Sequence, residues 1–186
     1  MAEYKASSPN AELLGGMLYS LWTAFPEGFQ EVIKKVLAKH GVVDVVPENW
    51  YRLQPVLDSL KEIEDSFGHF LLREVGEQAA ARAPIPPEIN SLQAVLFSLN
   101  PTLHKFHRGG NIGGYDVKEE KTSQGLTRYH VIASTPYPCS LTSGYLEGFA
   151  KRFGAPEWKE VLVRHDEGGP CRRQGSETCI YFMTCW

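Results

Sequence analysis

Pro138-Cys139-Ser140-Leu141-Thr142-Ser143-Gly144-Tyr145-Leu146-Glu147-Gly148-Phe149 lies between two pairs of strand-like segments. The spacing predicts a helix over Leu141–Phe153, with Tyr145, Leu146, Phe149 and Ala150 available for packing. Pro136-Tyr137-Pro138 fixes the chain's entry into it, since proline restricts its own φ and the residue before it. Upstream, Tyr115–Glu119 and Leu126–Ser134 predict two strands joined by a polar turn near Thr122-Ser123-Gln124-Gly125. Downstream, Glu160–Arg164 and Thr178–Trp186 predict a second pair. The order is therefore β-β-α-β-β.

Further upstream the apolar period becomes helical. Leu13, Leu14, Met17, Leu18 and Leu21 predict a helix over Asn10–Ala24. Phe29, Val32, Ile33, Val36 and Leu37 predict a second, stopped by Gly41. Pro55 opens a long amphipathic helix that reaches Ala83, before the breaker Pro84-Ile85-Pro86-Pro87. A shorter helix follows over Ile89–Leu99. The fold class is α+β: N-terminal helices, then an antiparallel sheet covered by helices. All 186 residues fit one domain, with a frayed N-terminus (1–9), a mainly helical part (10–100) and a β-β-α-β-β part carrying the cysteines (101–186).

Hydrophobic content of 42% and charged content of 22% are those of a soluble globular domain. A net charge of −3 argues against a broad nucleic-acid footprint and leaves room for a local basic patch, for example Arg172-Arg173. No apolar run is long enough to span a membrane, and Met1-Ala2-Glu3-Tyr4-Lys5 lacks the order of a signal peptide. The expected location is cytoplasmic, where four cysteines mean thiols, metal ligands or redox chemistry before disulfides.

Cys139 opens the predicted helix, and Cys171 and Cys179 form a C-x7-C pair around Gly175. On spacing alone the three admit a metal, reduced core thiols or a disulfide. Cys185 stands six residues past Cys179, roughly 20 Å along a strand at ~3.3 Å per residue, and reads as a small buried apolar group. A tetrahedral ion needs a fourth ligand. His165 is favoured, with Asp166 and Glu167 as alternatives.

The pattern Cys139, Gly144-Tyr145, Gly148-Phe149, Cys171, Gly175, Cys179 resembles the vinyl-4-reductase domain family. That family includes the effector-sensing domains of phenol- and xylene-responsive activators and a protein of bacteriochlorophyll synthesis. Its wider fold group takes in nitric-oxide sensors and Golgi tethering subunits. The resemblance implies a ligand cavity between helices and sheet. It also implies structural zinc on Cys139, Cys171 and Cys179. The family's glutamate ligand has no counterpart, because Gly168 occupies its place.

Tyr145, Phe149, Tyr137 and Trp50 are candidates to line a pocket for a small hydrophobic or aromatic molecule. Ordinary core packing is the plain alternative for each. His107 and Arg108, beside Gly109-Gly110, are candidates for holding an anionic ligand or lining a pocket mouth, against a solvated loop. Haem is not expected, because no haem motif accompanies His107. Glu62, Glu64, Asp65, Glu74 and Glu77 read as a solvated helix face. No catalytic triad, P-loop or dinucleotide motif is present, which favours a non-enzyme. The leading expectation is a stand-alone sensor or carrier, a homodimer with a protein output partner. An enzyme or accessory of tetrapyrrole metabolism and a structural assembly subunit are the alternatives.

Overall fold

The computed structural model describes residues 1–186. In chain order the elements are β1 (Glu12–Leu14), α1 (Gly15–Thr23), α2 (Glu27–Lys39), β2 (Trp50–Arg52), α3 (Leu53–Phe67), α4 (His69–Arg82) and α5 (Leu92–Lys105). There follow β3 (His107–Arg108), β4 (Tyr115–Lys121), β5 (Thr127–Ala133), α6 (Cys139–Phe153), β6 (Val161–His165), a 3-10 turn (Arg172–Gln174) and β7 (Cys179–Cys185). The α+β class and the β-β-α-β-β order are as the sequence predicts.

The main sheet runs β4-β5-β7-β6, antiparallel throughout. Along β5 and β7 every second residue is buried, so one face meets helices and the other meets solvent. On the covered face Val131 stands opposite Tyr181 and Ala133 opposite Cys179, all with no exposed surface. Burying a side chain such as Val131 is worth about 1.5–3 kcal/mol. Packed on this face, α6 contributes Leu146, Phe149 and Ala150 to the core, and α5 contributes Leu92, Val95 and Leu96. A second core joins α1 to α4.

Several expectations are corrected. The long helix is two helices, because Gly68 adopts φ +83°, a left-handed conformation that glycine reaches without a Cβ penalty. The first helix begins later, since residues 12–14 form the middle strand of a small antiparallel sheet, β2-β1-β3. Glu12 sits there between Arg52 and Arg108, at 3.7 and 2.7 Å. The Ile89–Leu99 helix shifts to Leu92–Lys105. The Ser91 hydroxyl caps it by accepting from the Ala94 N–H at 3.2 Å, and it continues through Pro101. The N-terminus is bound rather than frayed: the Tyr4 N–H donates to the Pro136 carbonyl at 2.8 Å and the Ala6 N–H to Gln54 at 2.8 Å. No helix is long and apolar enough to cross a membrane.

Candidate metal centre

Cys139 is the first residue of α6, Cys179 the first of β7, His165 the last of β6, and Cys171 precedes the 3-10 turn. β6 and β7 are paired neighbours, so the end of one lies beside the start of the other. Gly175, at φ +89°, lets the intervening loop turn back after Gln174. Four ligand atoms result, three Sγ and one imidazole nitrogen, all within 4.8 Å of one another.

The sulfur separations are 3.0 Å for Cys139–Cys179, 3.7 Å for Cys139–Cys171 and 4.0 Å for Cys171–Cys179. All four cysteines of the chain are free and buried. Sulfurs on a tetrahedral ion at ~2.3 Å lie about 3.8 Å apart, so two of the three separations already match a shared ion. The hydrogen bond from Cys139 holds the Cys179 thiol down to about 3, helped by His165 and by both Arg172 donors against the cost of burial. The same hydrogen bond, then burial and Glu3, pushes Cys139 up. Nε2 of His165 is buried and has no hydrogen-bond partner. Three sulfurs and one imidazole nitrogen within 4.8 Å of one another are the donor set that a thiophilic ion completes.

Cys185 lies on the same face of β7 as Cys179 but at its other end, opposite Thr127 and Val161, and takes no part. Asp166 turns to its own loop, its Oδ1 accepting from the Gly168 N–H at 3.2 Å.

Residues that the sequence reading passed over support the cluster. Arg172 is 2% exposed, and its backbone N–H and Nε both donate to Cys179 Sγ at 3.3 Å. Its Nη1 donates to the Thr135 carbonyl and hydroxyl. Arg173 bonds Glu64 at 2.7 Å and lies 3.6 Å from Glu3, so the two arginines are not a basic surface patch. Glu64 is not part of a solvated face. It accepts from Tyr4, Ser140 and Arg173. Its place on the Leu57, Leu60 stripe of α3 was the available signal. Glu3 accepts from the Cys139 N–H at 2.5 Å and so caps α6 from the far end of the chain. No local pattern announces that contact.

The expected ligand-binding residues divide into groups. Tyr145 and Phe149 stack on α6 with centroids 6.3 Å apart. Tyr137 and His107 are buried together. The Leu103 carbonyl can only accept, so His107 Nδ1 carries the proton and donates to it at 2.7 Å; Nε2 then accepts from the Tyr137 hydroxyl at 2.6 Å. Burial lowers the His107 pKa and keeps the ring neutral. Arg108 and Trp50 do not join this interior group. The guanidinium stacks over the Trp50 ring at 4.2 Å on the exposed small sheet and pairs with Glu12.

An H-NOX protein from S. oneidensis in its Fe(II)NO ligation state superposes with a TM-score of 0.65 over 94% of this chain and 99% of that one, at 12% identity. An oxygen-binding H-NOX domain related to soluble guanylate cyclases gives 0.59 over 92% and 94%, at 14% identity. This chain shares its fold with these two structures. No family model and no curated protein matches the chain, so the vinyl-4-reductase resemblance rests on its motif residues alone.

A further H-NOX-fold neighbour, TM-score 0.59 at 13% identity over 92% of this chain and 99% of that one, is described as modulating haem redox potential through porphyrin distortion. The expectation that sets haem aside is overturned by these neighbours, because the architecture is one that houses haem.

Proposed function

We propose that this chain is a small-molecule sensor or carrier domain whose C-terminal half is pinned by a zinc ion on Cys139, Cys171, Cys179 and His165. The observation that carries the metal is the convergence of those four donors within 4.8 Å, with the His165 Nε2 left unpartnered. The shared fold with H-NOX gas and haem proteins supports the sensing role, although fold alone does not fix function. A hydrophobic or aromatic ligand enters between α6 and the sheet, beside Tyr145, Phe149 and Tyr137. Output passes to a partner protein or a second copy of the chain.

Elemental analysis of freshly purified protein tests the centre. About one zinc per chain is expected, with Cys171→Ser and His165→Ala each lowering the content and the melting temperature. Metal-free protein that melts identically with and without added zinc contradicts it. For the interior site, Tyr145→Trp and Phe149→Trp block uptake of a bound hydrophobic molecule, read by native mass spectrometry. Unchanged retention removes the assignment.

The H-NOX neighbours and the buried neutral His107 favour a second reading, haem as the interior ligand. Bound haem supplies an iron at which a diatomic gas is held. Titration with haemin reads it directly: a Soret band that saturates at one equivalent and is lost in His107→Ala supports it. A spectrum of free haemin contradicts it.

A further inference from the structure

The face of the main sheet turned away from the helices carries a groove unrelated to the cysteine cluster. β7 alternates, so Tyr181 points to the core while Phe182 and Thr184 point out. Phe182 stands opposite His130 on one side and Arg164 on the other, and Thr184 opposite Arg128. The β4–β5 turn at Thr122–Gln124 and the terminal Trp186 raise the walls. The open groove has a volume of about 470 Å³, within the range of small-molecule sites.

The lining is chemically one-sided. It includes two guanidinium groups, hydroxyls and apolar side chains, and no aspartate or glutamate side chain. Arg128 has its ion pair outside the groove, Nη1 to Glu120 at 3.6 Å, and its Nε is buried without an acceptor. A buried N–H without a partner costs free energy that an incoming acceptor recovers. Between the two arginines, Phe182 is held edge-on by His130 at 4.7 Å, with the Arg128 guanidinium 6.0 Å from the ring. An apolar floor flanked by two guanidinium groups, one of them with a buried Nε that has no acceptor, is complementary to an anion with an apolar body.

We propose that this groove binds an amphipathic organic acid, its apolar body against Phe182, Leu162 and Trp186 and its carboxylate toward Arg128 and Arg164. The test is an NMR titration of the full chain with 2-naphthoate, with neutral 2-naphthamide as the control. Saturable amide shifts are expected at residues 122–126, 162–164 and 182–186. The amide should bind about tenfold more weakly, the loss that follows from removing a charge-assisted hydrogen bond. The double variant Arg128→Gln/Arg164→Gln should bring naphthoate down to the amide's affinity without moving the melting temperature. Arg164→Gln alone should give an intermediate loss. Equal binding of acid and amide overturns the proposal. So do shifts confined to the Tyr145–Phe149 interior, or affinity indifferent to both substitutions.

Discussion

Arg172 is a full cation with 2% of its surface exposed, and such a group persists only where negative charge meets it. In the proposed zinc-loaded centre, three thiolates and a neutral imidazole around a dication would leave one negative charge, and Arg172 donates directly to Cys179. Arg172→Met keeps the bulk and strands that charge. It should cost about 3–5 kcal/mol in the zinc-loaded protein, read by denaturant unfolding, and should weaken zinc binding in a competition with a chelator. A variant with wild-type stability and affinity would show that the guanidinium is only filling space. His107 gives a pH signature. Its folded pKa lies below the ordinary 6.5 because burial disfavours the charged ring. The unfolded chain then binds the extra proton first, so stability falls as pH drops below about 6.5 and the loss levels off beneath the folded value. The difference in stability between wild type and His107→Gln should shrink across that interval. A difference independent of pH would mean that the imidazole is not held neutral.

At the scale of elements, the close crossing of α4 and α6 explains two glycines of the sequence motif. A Cβ on Gly144 would run into the Arg73 carbonyl, and one on Gly148 would sit 2.5 Å from the Glu77 carbonyl oxygen and 2.7 Å from the Ala80 Cβ. Gly148→Ala should therefore destabilise by about 1–3 kcal/mol, the usual cost of overpacking, measured by thermal or denaturant melting. Gly28→Ala, whose Cβ meets nothing within 4 Å, is the control and should be neutral or slightly stabilising. Equal effects would show that helix propensity, not contact, governs the motif. The four strands of the main sheet and α6 were legible because their patterning is local: period two in β5 and β7, and apolar residues at helical spacing in α6. β1, β2 and β3 were not, because a three-residue strand has no pattern of its own and Leu13-Leu14 also fits a helix. Their pairing is decided by segments far apart in sequence. The break at Gly68 was hidden because the apolar stripe continues across it. The three cysteines and His165 were legible from ligand chemistry and strand order. Glu3 and Arg172 were not, since their partners become visible only when the chain has closed.

Across the whole molecule, the cluster ties α6, β6, β7 and the loop between the last two strands to one point. Glu3 and Arg173 then fasten the N-terminal segment and α3 to the same point. Removing the metal should therefore loosen places remote from the sulfurs. Under a chelator the melting temperature should fall, and limited proteolysis should cut near Lys5, a site protected in the loaded protein. Protection that survives chelation would show that the N-terminal contacts stand without the ion. The central claim is that one ion joins Cys139, Cys171, Cys179 and His165. X-ray absorption at the zinc edge tests it most directly, because it counts and identifies the atoms touching the metal. Three sulfurs at ~2.3 Å and one nitrogen at ~2.0–2.1 Å are expected. A shell of oxygen alone, or purified protein with no zinc to absorb, would contradict it.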